Sequence, residues 1–254
     1  MRNILSPRNL RVLEGFASGK VLLAFDYDGT LVPLRAHPSE VSMNRSTRRL
    51  LRDVARTFPM IVVSGRSRAD VQRRMRGIAL EEVVGNHGIE PLGATRGAAL
   101  AVERWLPKLS LGVRPLQGVV LENKRFSLCL HFRKSRDKSA VKKALALLVK
   151  SVPGARAVAG KQVVNIVLHN APDKGRAVEL ERKRLHLDKV IYVGDDVTDE
   201  SAFALSKNGD ALGIRVGHST ASRARFYIRN QKDIDRLLVQ LLAIRKSVGA
   251  RGPA

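Results

Sequence analysis

Asp26 and Asp28 stand two residues apart where the apolar run Val21-Leu-Leu-Ala-Phe ends, and Asp195, Asp196 and Asp199 follow a second such run, Val190-Ile-Tyr-Val-Gly. Carboxylates set this close repel one another unless a cation sits between them. Gly29 permits a sharp turn after Asp28, which would let a backbone carbonyl join the ligands. Alone, Asp26-x-Asp28-Gly also reads as a turn of solvated aspartates, or as the opening of a calcium loop lacking its later Glu. The second acidic strand end tips the balance toward one shared metal. Hard oxygen donors without His or Cys suit Mg²⁺, which binds few carboxylates and completes its shell with water and phosphate oxygens. Ile61-Val-Val-Ser64-Gly65-Arg66 adds a hydroxyl and adjacent backbone N–H groups at a third strand end, and Lys174 opens a helix ahead of the second acidic run. Singly, Ser64 reads as a helix cap and Lys174 as a surface lysine; in this order they read as partners for phosphate oxygens.

Such groups need a scaffold that brings strand ends together. Apolar runs of strand length alternate with amphipathic stretches of helix length, the pattern of an α/β fold with a mostly parallel sheet. Strands are expected at 21–26, 60–64, 82–85, 190–194 and 211–216, with helices near 47–57, 68–75, 174–185, 200–205 and 233–245. The middle of the chain differs. Residues 119–132 predict an antiparallel hairpin turning at Glu122-Asn123-Lys124-Arg125, its second strand alternating through Phe126, Leu128, Leu130 and Phe132. A helix near 138–150 and strands at 155–159 and 162–168, turning at Gly160, complete a smaller inserted α+β unit.

Composition narrows the field further. No run approaches the ~18 apolar residues of a membrane span, and no apolar signal core precedes Leu22, so a cytoplasmic protein is expected. A single cysteine, Cys129, excludes an internal disulfide, and no Cys-based zinc site is expected, which fits a reducing compartment. The 46 Lys and Arg against 23 Asp and Glu leave a net charge of +23. A phosphorylated metabolite, nucleic acid or an anionic membrane surface would all suit that charge. Basic positions spread along the whole chain, and aromatics are only 4% of it, too few for base-stacking platforms.

The ordered set Asp26-x-Asp28-Gly-Thr30, Ser64, Lys174 and Gly194-Asp195-Asp196-x-x-Asp199 resembles the four motifs of the haloacid dehalogenase-like phosphohydrolases, over nearly the whole chain. Within that superfamily, Gly194-Asp-Asp-Val-Thr-Asp-Glu200, Gly85-Asn-His87-Gly-Ile-Glu90, and Glu122-Asn-Lys124 ahead of His131-Phe-Arg133 resemble the trehalose-6-phosphate phosphatases. The resemblance implies a Rossmann-like core at 1–90 and 172–254 and an inserted α/β cap at 91–171 that selects substrate. It implies Asp26 as nucleophile and Asp28 as general acid and then base. Mg²⁺ is implied on the Asp26 carboxylate, the Asp28 carbonyl and Asp195. Ser64 and Lys174, with the Gly65-Arg66 loop, would hold phosphate oxygens. Thr30 and Asp196 would support the site, and Asp199 would orient Lys174 or a metal-bound water.

In the same family the cap contacts the sugar, which makes His87, Glu122, Lys124 and Arg133 candidate substrate ligands. Here the chain departs from the pattern: Asn165 stands in Gln162-Val-Val-Asn165-Ile where the family usually carries a glutamate. An amide donates as well as accepts, so a different set of hydroxyls would suit it. The resulting expectation is a Mg²⁺-dependent phosphatase acting on trehalose 6-phosphate through an aspartyl-phosphate. Two alternatives stand beside it: another glycosyl or polyol phosphate as substrate, and a basic protein binding nucleic acid or anionic surfaces on a phosphatase scaffold.

Overall fold

The computed structural model describes residues 1–34, 42–160 and 162–250. Lys161, in the turn expected at Gly160, lies outside them. The strands are β1 (Arg2–Asn3), β2 (Val21–Phe25), β3 (Met60–Val63), β4 (Glu82–Val84), β5 (Val120–Asn123), β6 (Leu128–His131), β7 (Ala155–Gly160), β8 (Val163–Leu168), β9 (Lys189–Gly194), β10 (Ala211–Val216) and β11 (Phe226–Ile228). The helices are α1 (Pro7–Ala17), α2 (Arg45–Ala55), α3 (Arg68–Arg74), α4 (Arg96–Val113), α5 (Lys138–Lys150), α6 (Lys174–Arg184), α7 (Glu200–Phe203) and α8 (Ile234–Ala250).

Seven strands form a parallel sheet in the order β1-β11-β10-β9-β2-β3-β4. All five residues of β2 are buried because the sheet is covered on both faces. Val21, Leu23 and Phe25 pack with residues of α1, α2 and α8, whereas Leu22 and Ala24 pack with Ala177, Val178 and Phe203 of α6 and α7. A continuous apolar run is the signature of such a strand. From β2 the chain winds outward through β3 and β4; after the insertion it re-enters at β9 and winds the other way. The direction therefore reverses between β2 and β9, where an open parallel sheet leaves a crevice beyond its strand ends.

The insertion is an antiparallel sheet, β5-β6-β8-β7, backed by α4 and α5. Leu128, Leu130, Val164 and Ile166 face Val102, Trp105, Leu109 and Leu145 of these helices. Two expectations for this unit need correction. Glu122 and Asn123 are the last residues of β5 rather than part of the turn, which falls at 124–127 and takes Phe126 with it. The expected apolar–polar alternation also fails along β6, because Leu128, Cys129 and Leu130 are all buried, the sheet being covered by helices on one side and by the larger unit on the other.

The connection from β4 into the insertion runs through Asn86 and His87, both at positive φ, and Gly88 at φ 113°. A Cβ at Gly88 would collide with the Asp173 backbone just ahead of α6. Gly88→Ala should lower unfolding free energy by ~1–3 kcal/mol, the cost of a side chain in a sparsely allowed conformation. Urea unfolding of the two proteins measures this; equal midpoints would show that the turn accommodates a methyl group.

Candidate active site

Strands β9, β2 and β3 end side by side, and the sheet register puts their loops in one crevice. The Asp26 N–H donates to Val193 O (2.8 Å), continuing the β2–β9 ladder into the acidic loops. Asp26 is 4% exposed and Ser64 fully buried. From across the crevice, Lys174 on the first turn of α6 donates from Nζ to Asp26 Oδ1 (2.8 Å) and to Asp199 Oδ1 (2.7 Å). The Tyr192 hydroxyl donates to the same Asp199 oxygen (2.6 Å), and the Asp196 N–H donates to Asp199 Oδ2 (2.8 Å). Asp199 is thus committed to orienting Lys174 and the loop.

Charge on these groups is set by neighbours rather than by water. Burial opposes the Lys174 ammonium, but Asp199 and Asp26 outweigh it and hold the pKa above the usual lysine range. For Asp26 the sign is reversed: burial raises the carboxyl pKa, Lys174 pulls it down, and Asp199 and Asp195 push it up again. Asp195 is pushed up to about 7, by burial first and then by Asp199, with Asp196 adding to the shift and Lys174 opposing it.

One ammonium therefore faces more acid than it neutralises. Oxygens of Asp26, Asp195 and Asp199 lie within 4.8 Å of one another, and Asp195 Oδ1 is buried without a hydrogen-bond partner. An orphaned oxygen among closely set carboxylates is the donor set a hard divalent cation fits. Gly29 at φ 87° lets the loop of the first motif approach this set; a Cβ there would strike the Asp195 carboxylate.

The Asp28 carboxylate is held by Arg66. Both its oxygens accept from Arg66, at 2.6 Å from Nε and 2.8 Å from Nη2, and Arg66 also bonds Asp70 Oδ2 (3.0 Å). Arg66, expected at the substrate, is in this structure a partner of Asp28. Ser64 Oγ accepts from the Arg66 N–H (3.1 Å), and Thr30 Oγ1 is buried without a partner.

From the insertion, Lys124 Nζ donates to Gly65 O (2.9 Å), so the smaller unit is hooked onto the loop after β3. Glu122 Oε2 is 2.7 Å from His131 Nε2, and this contact lowers the Glu122 pKa. Asn165 is 1% exposed; its Oδ1 accepts from Cys129 Sγ (2.9 Å) and its Nδ2 donates to Val158 O (3.3 Å). His87, partly buried beside a cleft lined by Lys174, Asp173, Arg156 and Val158, is kept neutral by burial and by Lys174 and Lys124. Arg133 lies exposed beyond the end of β6. The structure thus brings Asp26, Lys174, Asp195 and Asp199 together, sets Ser64 in the loop beside them, and leaves Arg133 at the rim of the insertion.

Two contributors lie within runs that the sequence displays without standing out there as site residues. Tyr192 sits inside an apolar run, yet a buried tyrosine hydroxyl must find a partner, and Asp199 lies in the loop that follows. Asn86, fully buried, accepts from Ser127 Oγ (2.8 Å) and donates to Lys124 O (3.2 Å), joining the two units. Its signal is an Asn beside Gly85, a residue type that tolerates positive φ.

Comparison with known proteins bears on the family and the fold. The trehalose-phosphatase family profile matches residues 24–233. "Probable trehalose-phosphate phosphatase 4" of Oryza sativa subsp. japonica is 30% identical over 88% of this chain and 66% of its own length. "Trehalose-phosphate phosphatase B" of Arabidopsis thaliana is 31% identical over 92% of this chain and 70% of its own. Among solved structures, the C-terminal domain of the C. albicans trehalose-6-phosphate phosphatase superposes with a TM-score of 0.78 at 20% identity, covering 94% of this chain and 97% of that one. A sucrose-phosphatase from Synechocystis shares the fold at a TM-score of 0.59 and 15% identity, over 88% and 98% of the two chains. The profile match opens inside β2, crosses the whole insertion and ends beyond β11. On that span, this chain belongs to the trehalose-phosphatase family, phosphoric monoester hydrolases of the haloacid dehalogenase-like fold.

Proposed function

We propose that this chain hydrolyses a sugar phosphate, with trehalose 6-phosphate the leading substrate, through an aspartyl-phosphate on Asp26. The observation that carries the reading is the buried Lys174 ammonium shared by Asp26 and Asp199, with Asp195 alongside. Names of the relatives supply the sugar; the crevice supplies the phosphate chemistry. Uncatalysed hydrolysis of phosphate monoesters is so slow that enzymes accelerate it up to ~10²¹-fold, and a covalent intermediate divides the barrier into two in-line transfers.

In this reading an Asp26 oxygen attacks phosphorus as the bond to the sugar oxygen breaks. Lys174 and Ser64 hold phosphoryl oxygens, where fixed charge in a water-poor site is worth most as the transition state spreads charge onto them. Mg²⁺ held by Asp26, Asp195 and the Asp28 backbone would supply the positive charge that Lys174 alone does not, keeping Asp26 ionised and neutralising the phosphoryl group. Asp28 delivers a proton to the departing sugar oxygen and then takes one from the water that attacks Asp26-phosphate. Both Asp28 oxygens are engaged by Arg66, so Asp28 must leave the guanidinium to reach the departing oxygen. The insertion forms the wall against the sugar, with Glu122 and Lys124 as hydroxyl partners and Asn165 shaping that wall through Cys129, while His87, on the connection after β4, is a further hydroxyl partner.

Asp26→Asn should reduce phosphate release by on the order of 10⁴-fold or more, the scale of losing a nucleophile, while thermal unfolding stays near wild type. Near-normal turnover by the purified variant would remove Asp26 from the covalent role. Exhaustive chelation should stop the wild-type enzyme and added Mg²⁺ should restore it; activity surviving chelation would exclude the cation.

Substitution in the insertion separates chemistry from selection. Asn165→Glu should shift relative kcat/KM among sugar phosphates by ~1–3 kcal/mol while leaving hydrolysis of a small aryl phosphate much less affected. An unfolding midpoint close to wild type must accompany the shift. Unaltered ratios across a panel of sugar phosphates would place selectivity with Glu122 and Lys124 instead.

A further inference from the structure

A second group of metal-ligating side chains lies outside the crevice carboxylates. Register in the inserted sheet puts Glu122 of β5 directly opposite Cys129 of β6, and His131, two residues along β6, falls on the same face. That face is the one turned toward the larger unit. Asn165, the partner of Cys129 on β8, lies on it, and Arg66 contributes to the charge felt by Glu122.

We infer that Glu122, Cys129 and His131 form a binding site for a borderline-soft divalent cation of the zinc class, separate from the oxygen-only site of the crevice. Their oxygen, sulfur and nitrogen ligand atoms lie within 4.8 Å of one another. Zinc bonds of ~2.0–2.3 Å at tetrahedral angles hold ligand atoms roughly 3.3–3.8 Å apart, which side-chain rotations of about 1 Å would reach from the spacing found. The mixture itself discriminates: thiolate and imidazole select zinc over magnesium, whereas Asp26, Asp195 and Asp199 offer only hard oxygens. Hydrogen bonds already hold the three groups in place, with Glu122 Oε2 on His131 Nε2 at 2.7 Å and the Cys129 thiol donating to Asn165 Oδ1 at 2.9 Å. Binding exchanges the thiol proton for the cation. Burial raises the Cys129 pKa, so the thiolate forms only as the cation replaces its proton, and binding should strengthen as pH rises. The opposing charge is Lys124, whose Nζ is 3.9 Å from Glu122 Oε2 but is anchored on Gly65 O. Three protein ligands leave a fourth position for water or a substrate hydroxyl.

A cation here would take Glu122 away from the sugar and inhibit hydrolysis of sugar phosphates. That consequence rests on the proposed function; the site itself does not. Cys129 is the one cysteine of the sequence, so any thiolate signal must come from it. Co²⁺ titrated into the full chain under saturating Mg²⁺ should give a thiolate-to-cobalt charge-transfer band, abolished in Cys129→Ser and weakened at least ~10-fold in affinity in His131→Gln. Zn²⁺ should displace the band at one equivalent. Thermal unfolding of each variant checks that it is folded, and His131→Gln carries the test if Cys129→Ser does not fold. A wild type without the band, or full Co²⁺ affinity in folded His131→Gln, would overturn the site. Zn²⁺ should then inhibit sugar phosphate hydrolysis more than aryl phosphate hydrolysis; equal inhibition of both would assign the cation to the crevice carboxylates and overturn the inhibitory role. Failure of the zinc-free enzyme to hydrolyse any sugar phosphate with Mg²⁺ would sink the proposed function and leave the band to judge the site.

Discussion

One buried ammonium organises the reaction crevice. Lys174 is 2% exposed and bonds two carboxylates, Asp26 at 6% and Asp199 at 0% side-chain exposure. A charge so placed is tolerable only while a carboxylate stays in reach, since leaving a buried charge with no partner costs ~3–5 kcal/mol. Several features keep them there. The parallel register of β2 and β9 brings Asp26 and Asp195 to neighbouring strand ends. Tyr192 and the Asp196 N–H fix both oxygens of Asp199. Gly175, next to Lys174, has no room for a Cβ against the Ser201 backbone, so α6 packs tightly on the loop that holds Asp199. The remaining negative charge, concentrated on Asp26 and Asp195, is what the proposed cation would neutralise.

Much of this arrangement is legible in the order of the residues. Strand ends stand out at Asp26, Ser64 and Asp195 because apolar runs buried on both faces are easy to find, and polar residues stop them abruptly. The elements at the edges are not legible. β1 is two residues long and β11 three, too short to leave a period. Helix α4 carries Pro107 and Gly112 within it, residues that argue against a helix on propensity, and its burial through Val102, Trp105 and Leu109 outweighs them. α1 hides because its apolar positions are interleaved with Arg8, Arg11 and Glu14 over only three turns. The hairpin turn is displaced from its expected place for a related reason: a strand covered on both sides shows no alternation, so the apparent period of 126–132 points to the wrong turn residues.

Side-chain partnerships are the least legible of all. Nothing in the spacing of Ser64-Gly65-Arg66 says whether Arg66 reaches a substrate or Asp28, because both sit beyond the same strand end. The net charge of +23 is similarly ambiguous, and the structure reduces it in part. Arg48 donates to the carbonyls of Arg74 and Arg76, and Arg52 to that of Gly77, so much of one face of α2 serves to hold the loop after α3. Asp70 likewise engages Arg66, Arg73 and Arg74. Guanidinium groups used in this way act as struts between elements.

The position of the insertion also bears on the order in which the molecule can assemble. Leu23 of β2 pairs with Ile191 of β9, and Arg2 of β1 with Phe226 of β11, so the large sheet is closed by contacts between the two ends of the chain. The inserted sheet is made of near neighbours, such as Asn123 with Leu128 and Gly160 with Val163. Loop-closure entropy rewards the second kind of pairing first and delays the first kind. On a ribosome, β2 emerges with its apolar residues and waits for β9 through the synthesis of the whole intervening unit. β2 is thereby an apolar run left without its β9 partner for much of synthesis, and a chaperone that holds it would be acting on the same residues that later seat Asp26.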